Sequence, residues 1–244
     1  MHSKDTTGFR TRGEASSALP LWKRSLDLGL ILVCSPGLML IGALVALVVK
    51  CGSAGPVLFR QERVGYRGRR FTCYKFRTME VNADIEAHRR HAEHLIRSQE
   101  PMVKLDTCRD PRLVPLGALL RAGGLDELPQ LINVLCGEMS LVGPRPCIPY
   151  EYEKYNNWHR RRFDAVPGLT GLWQVSGKNR TTFEEMIHLD IEYAECRSLW
   201  LDLKILLRTV PALRRQYSDL RGARSNEGAV GARGIGKTIQ SYRL

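Results

Sequence analysis

The strongest constraint in this sequence is a run of 22 residues without a charge, Leu28 to Val49, LGLILVCSPGLMLIGALVALVV. As a helix it measures roughly 33 Å, enough to cross the hydrocarbon core of a bilayer, and a simple span is the default reading. Two features point to another path. Ser35-Pro36-Gly37 sits near the middle, where proline removes a helix hydrogen bond at a cost on the order of 3 kcal/mol, so the pattern predicts a helix, a break and a second helix. Both flanks are also basic: Lys23 and Arg24 precede the run, and Lys50, Arg60, Arg63, Arg67, Arg69 and Arg70 follow it. The positive-inside tendency then keeps both ends on the cytoplasmic face. A re-entrant segment that bends at Pro36 and returns satisfies both constraints. A span that tolerates its proline satisfies the length alone. A cleaved signal peptide fits less well, because the run is long and no convincing small-residue cleavage site follows.

Around this segment the 244 residues divide into a polar flexible tail (1–20), the membrane element (21–50), one domain with a substantial core (51–217) and a second flexible tail (218–244). The net charge of +12 calls for an anionic partner: lipid headgroups, nucleotide phosphates or nucleic acid. No RNP, zinc-finger or helix-turn-helix pattern accompanies the charge, so nucleic acid ranks last. The seven cysteines show no C-x-x-C spacing and read as reduced thiols, most of them small buried apolar side chains. His88, His91 and His94 recur every third residue on a predicted helix and rotate away from one another, so they do not converge on a metal.

Chemistry concentrates between Gly123 and Pro146, GGLDELPQLINVLCGEMSLVGPRP. Asp126 and Glu127 follow a Gly-Gly break and precede an apolar run of Leu128, Leu131, Ile132 and Leu135, which predicts a helix starting at the acids with Pro129 in its first turn. Exposed N–H groups there favour ionised carboxylates. An ordinary N-cap would show the same pair. Gly143-Pro144-Arg145-Pro146 is a stiffened loop presenting one guanidinium, suited to a phosphate. Arg121 lies five residues before Asp126, near enough to pair with the acids or with a phosphate held there. Upstream, Gly55-Pro56-Val57-Leu58-Phe59 starts a strand-like stretch, and a basic turn at Gly65 to Arg70 before Phe71 to Phe76 completes a predicted β-hairpin, most of whose arginines read as solvated charge beside headgroups. Downstream, LWLDLKILLRTVPALRR puts Lys204, Arg208 and Arg215 on one helical stripe, the layout of an interfacial helix or of one docked on the core. Gly231 to Thr238, GARGIGKT, fits the P-loop expression but lacks the strand before it and the helix after it.

Four long motifs occur in order: YKFRTM at Tyr74 to Met79, LDELPQLINVL, GEMSLVGPRP, and PGLTGLWQVSG at Pro167 to Gly177. They resemble the bacterial sugar transferases, the monotopic polyprenyl-phosphate phosphoglycosyl transferases, over about residues 21–210. The resemblance implies an α+β fold: a mainly helical membrane-associated catalytic domain with a small β-hairpin, an N-terminal re-entrant helix and interfacial amphipathic helices. It implies transfer of hexose-1-phosphate from a UDP-sugar, UDP-glucose or UDP-galactose, to undecaprenyl phosphate with release of UMP, on the cytoplasmic face of the bacterial inner membrane, as the first membrane step of exopolysaccharide synthesis. Asp126 matches the nucleophile that forms an aspartyl-phosphosugar, and Glu127 the Mg²⁺ ligand. Lys75, Arg121 and Arg145 match phosphate contacts, and Asp110, Arg112 and Asp190 match substrate-binding positions more loosely. A homodimer is compatible with the family. Gly123-Gly124 and Leu113-Val114-Pro115 depart from the family pattern and predict a looser loop around the acids. The competing readings are a direct displacement without a covalent intermediate and a basic membrane scaffold without activity.

Overall fold

The computed structural model describes residues 19–79, 85–98, 100–102 and 113–239. Helix α1 (Leu21–Gly52) starts directly after Pro20 and carries the entire apolar run. The predicted break at Pro36 is not there: the helix continues through it. Pro36 has no N–H for the carbonyl of Leu32 four residues back, and the Ser35 hydroxyl donates to that carbonyl instead, at 2.8 Å. This substitute hydrogen bond removes much of the reason for a break. The helix is long and apolar enough to cross a membrane, and only 11% of its most apolar 18 residues is buried against the protein.

Its two ends are buried. Ile31 packs with Val134 and Met139, whereas Val45 and Val49 pack with Phe76 and Leu120. Polar contacts reinforce both ends. Arg24 donates to the carbonyls of Val134 and Leu135 at 2.5 and 2.8 Å, and Asp27 accepts from the Leu141 amide at 3.2 Å. Lys23 is buried against Asp202 at 2.5 Å and Tyr193 at 2.9 Å. Just past the helix, Arg77 donates to the carbonyls of Ser53 and Ala54. One domain therefore grips both ends and leaves the middle of α1 bare.

The hairpin follows, with β1 (Leu58–Val64) antiparallel to β2 (Arg70–Phe76). Arg63 pairs with Phe71, Gln61 with Cys73 and Phe59 with Lys75. Because directly paired residues share a face, Arg63, Cys73 and Lys75 all point to one side. After α2 (Ile85–Arg97) come α3 (Gly117–Ala122), a 3₁₀ turn (Leu125–Gln130) and α4 (Leu131–Leu135), then the short strand β3 (Ser140–Val142). Helices α5 (Pro149–Glu153) and α6 (Asn157–Arg160) lead to β4 (Gly168–Thr170), which pairs parallel with β3. The chain closes with α7 (Leu172–Ser176), α8 (Phe183–Cys196) and α9 (Leu199–Ile239). The expected α+β class, mainly helical with a small hairpin and one long apolar helix, is what the chain adopts.

Helix α8 is held at its start by Thr182, whose hydroxyl accepts from the Glu185 amide while Glu185 accepts from the Thr182 amide. Its inner face sets Phe183, Met186, Ile187 and Ile191 against Tyr155, Phe163 and Trp173 to form the largest core. Of the two expectations for the Lys204 stripe, docking on the core holds for one face of α9, and the opposite face is exposed. Asp202 and Ile205 are buried, whereas Trp200, Leu207 and Val210 are exposed, at 78%, 77% and 57%. Residues 231–238 lie inside α9, so their N–H groups are in helical hydrogen bonding and form no phosphate cradle. The cysteine expectation is corrected. Of the six described, Cys73 and Cys147 are buried, but Cys34, Cys51, Cys136 and Cys196 are exposed.

Candidate active site

The acids sit differently from the sequence expectation. In an α-helix begun at Leu125, Pro129 would be asked for the N–H that closes on the Leu125 carbonyl, and it has none. The segment winds instead as the tighter 3₁₀ turn Leu125–Gln130, and the α-helix begins only at Leu131. Gly124 opens the turn with φ +68°, a left-handed backbone that glycine adopts without strain. The departure from larger residues at this position is thus a conformational fit.

Asn133 ties this turn to the hairpin. Fully buried, it donates to the Thr72 carbonyl and to Glu138, each at 2.7 Å, and accepts from the Tyr74 amide at 3.2 Å. That clamp spans the residue before Lys75 and sets the register of β2 against the acids. Lys75 Nζ consequently lies 3.2 Å from Glu127 Oε1. Arg145 reaches the same oxygen at 3.5 Å.

The loop carrying Arg145 is built by close backbone approach. A Cβ on Gly143 would lie 2.3 Å from the Val166 carbonyl, and one on Gly168 would lie 2.0 Å from the Gly143 nitrogen. Only glycine lets β3 and β4 run this close. Beneath the loop, Arg162 donates to the Arg145 carbonyl at 2.9 Å and pairs with Asp190 at 2.5 Å, both side chains almost wholly buried. Burial pushes the Asp190 carboxyl up to about 6, with Arg162 opposing the rise.

Arg63 completes the arrangement. It is 7% exposed and donates to the Pro146 carbonyl at 3.2 Å and to Gln61 at 2.6 Å. Burial and the nearby Arg145 charge lower its pKa, so the fold holds two guanidinium groups close together at a cost. Together these segments form a shallow, open cleft, lined by Arg63, Cys73 and Lys75, by Glu127 and Gln130, and by Arg145. Three cations around one carboxylate attract an anion. Burial pushes the Cys73 thiol up, so it is a neutral wall and no nucleophile.

The family described as bacterial sugar transferase matches residues 18–216. The chain belongs to this family. Among its relatives, the galactosyl transferase CpsE of Streptococcus agalactiae serotype III is 45% identical over 157 residues, 64% of this chain but 34% of that protein. The exopolysaccharide production protein ExoY of Sinorhizobium fredii is 36% identical over 211 residues, 85% of this chain and 93% of the relative. The UDP-glucose:undecaprenyl-phosphate glucose-1-phosphate transferase of Caulobacter vibrioides is 40% identical over 204 residues, covering 80% and 71%. The chain thus spans about a third of CpsE and nearly all of ExoY.

Within this sugar transferase, Lys75, Glu127 and Arg145 meet as the sequence implied. Asp126 lies beside Glu127 in the same turn, 7% exposed and not among the residues that line the cleft. Arg121 ends α3, where its carbonyl accepts from Gln216 at 3.1 Å, and its side chain is not part of the cleft lining. Asp190 lies under the Arg145 loop, fully buried, where it holds Arg162 and does not face the cleft. Asp110 and Arg112 lie outside the described residues. Sequence reasoning missed Arg63, Gln130 and Asn133. For Arg63 a signal existed: once the hairpin register is set, a residue opposite Phe71 shares the face of Lys75.

Proposed function

We propose that this enzyme transfers hexose-1-phosphate from a UDP-sugar, UDP-glucose or UDP-galactose, to undecaprenyl phosphate in two steps through Asp126, at the start of exopolysaccharide assembly. The observation that carries the proposal is the convergence of Arg63, Lys75 and Arg145 on the cleft beside Glu127. Such a cluster suits a diphosphate, whose transfer needs positioning and charge neutralisation more than covalent help from many groups. An Asp126 carboxylate oxygen attacks the β-phosphorus. The bond from that phosphorus to the bridging oxygen breaks, and UMP leaves with the electron pair. A phosphate oxygen of the acceptor then attacks the same phosphorus, forming the lipid diphosphate sugar and releasing the carboxylate.

Mg²⁺ fits the donor set. Glu127 offers carboxylate oxygen on the cleft wall, and among the described residues no cage of three His, Cys, Asp or Glu gathers. That suits a cation completed by waters and by the substrate's own phosphates. When bound, it would neutralise and polarise the diphosphate. Lys75 and Arg145 hold Glu127 in place and draw the donor phosphates into the cleft.

The grip of one domain on both ends of the continuous helix α1 supports an arrangement in which both ends stay on the cytoplasmic face. A straight crossing would carry one end roughly 30 Å away, to the far side of the bilayer. The exposed Trp200, Leu207 and Val210 suit contact with the interface.

The test supplies UDP-sugars, Mg²⁺ and polyprenyl phosphate and identifies the released nucleotide. UMP supports phosphosugar transfer, whereas UDP refutes it. Without acceptor, a phosphosugar should be trapped on the protein and vanish in Asp126→Asn. Turnover without any trapped species would favour direct displacement.

A further inference from the structure

A fourth cation stands near the acids and plays no part in the cleft described above. Lys178 follows Gly177 (φ +142°) and itself has φ +40°, a left-handed backbone that a lysine adopts only at a cost. The surroundings enforce it. The Lys178 carbonyl accepts from the Thr181 hydroxyl at 2.9 Å, and that hydroxyl accepts from the Trp173 indole at 2.7 Å. The Arg180 amide closes the turn on Gly177 at 2.9 Å. A strained backbone held by three hydrogen bonds aims one side chain.

That side chain is half-buried and runs toward α9, where Nζ donates to Gln216 Oε1 at 2.9 Å. Gln216 in turn donates to the Arg121 carbonyl at the end of α3. The ammonium therefore rests on a neutral amide, at the junction of α9 with the helix that leads into the acids. It is also within electrostatic reach of Arg145, Glu127, Asp126 and Lys75, and burial with Arg145 lowers its pKa. Keeping a further positive charge among these cations is unfavourable until an anion arrives.

Location separates Lys178 from the other three. Arg63, Lys75 and Arg145 line the cleft, and Lys178 does not. The two helices that Gln216 joins carry exposed apolar side chains, Leu207 and Val210 on α9 and Leu119 on α3, with Leu116 exposed just before α3. A phosphate arriving on a polyprenyl chain comes from an apolar phase, and these faces are the ones suited to it.

We propose that Lys178 receives the phosphate of the polyprenyl acceptor, leaving Gln216 to do so, while Arg63, Lys75 and Arg145 serve the nucleotide donor. This rests on the two-step reading above. The division predicts that the two half-reactions respond differently to loss of this one charge. A neutral Lys178→Gln keeps a hydrogen bond available for Gln216 and removes only the charge, and Lys178→Arg restores it.

The first step is read as exchange of labelled UMP into UDP-sugar without acceptor, and the second as the acceptor KM with a short-chain polyprenyl phosphate in detergent. For Lys178→Gln the acceptor KM should rise about tenfold or more, as expected for a lost charge-assisted hydrogen bond, with exchange within about threefold of wild type. Lys178→Arg should recover most of the difference. A parallel loss of exchange, or an unaltered acceptor KM, overturns the assignment. A measurement that needs no variant is protection of Lys178 from reductive methylation in the wild-type enzyme. Polyprenyl phosphate should protect it and UMP should not, and the reverse pattern refutes the proposal. If wild type shows no exchange, the two-step reading falls by itself, and KM and protection still decide whether Lys178 binds the acceptor.

Discussion

Replacing Asn133 with alanine tests whether the site depends on a single buried amide. The side chain is wholly buried and makes three hydrogen bonds, two of them to the backbone of β2 at Thr72 and Tyr74. Alanine leaves that carbonyl and that amide without partners in a place water does not readily reach. Each buried unsatisfied group costs about 1–3 kcal/mol, so the pair costs roughly 2–6 kcal/mol. Glu138, the third partner, is half-buried and can turn to solvent, so it adds little. Against a stability of about 5–15 kcal/mol, this is a large fraction. At about 2–4 °C per kcal/mol for a chain of this size, melting should fall by roughly 5–20 °C. Thermal unfolding in detergent, followed by intrinsic tryptophan fluorescence, reads the shift. Because the clamp positions Lys75 against Glu127, the donor KM should rise as well. A shift under about 2 °C with an unaltered donor KM would refute both the energetic account and the positioning role.

Three further outcomes follow from other parts of the structure. The folded-state pKa of Asp190 is about 6, above the ordinary 3.8. Proton uptake by this group therefore favours the folded state as pH falls from 6 toward 4, and it does not drive acid unfolding. Acidification instead removes the counter-charge of Arg162, which holds the Arg145 carbonyl. Activity should fall on the acid side with a midpoint near 6 while melting does not drop in step, and an acid limb that survives in Asp190→Asn would assign it to another group. Lys23→Met should leave Asp202 as a buried unpaired carboxylate and lower stability by about 3–5 kcal/mol, with part of the loss recovered in a Lys23→Met, Asp202→Leu double variant; additive single effects would argue against the pairing. For topology, single-cysteine reporters Ser25→Cys and Ser53→Cys, in a background free of other cysteines, should both react with an impermeant maleimide from the cytoplasmic side of sealed vesicles. Labelling from opposite sides would establish a straight span.

The elements legible in the sequence were those governed by local rules. The apolar run and the hairpin with its basic turn each carry their own local signal. Pro36 and Pro129 were legible as constraints but not as outcomes. A single hydroxyl at Ser35 kept one helix continuous, and the missing N–H of Pro129 turned the other from α to 3₁₀ winding. The site followed the same division. Lys75, Glu127 and Arg145 were recognisable because each sits in a distinctive motif. Arg63, Asn133 and Lys178 look ordinary in the sequence, since an arginine in a basic hairpin, an asparagine among leucines and a lysine after glycine have common alternatives. Their roles come from register, burial and a left-handed turn, which are properties of assembled contacts.

The membrane helix belongs to the catalytic architecture as well as to the anchor. Arg24 holds the last carbonyls of α4, the helix that continues the turn carrying Asp126 and Glu127. One turn further along, Asp27 holds the Leu141 amide in β3, the strand that leads into the Arg145 loop. At the other end of α1, Val45 and Val49 pack against Phe76, next to Lys75, and against Leu120, next to Arg121. The acids, the Arg145 loop and the Lys75 strand are thus each braced by the same helix. A helix whose exposed middle is fixed by lipid therefore fixes the depth and tilt of all three relative to the bilayer. That coupling gives a physical reason for building the anchor into the domain: a flexible linker would let a water-soluble donor and a bilayer-bound acceptor meet at variable heights, whereas this bracing holds the carboxylate proposed to react at one height.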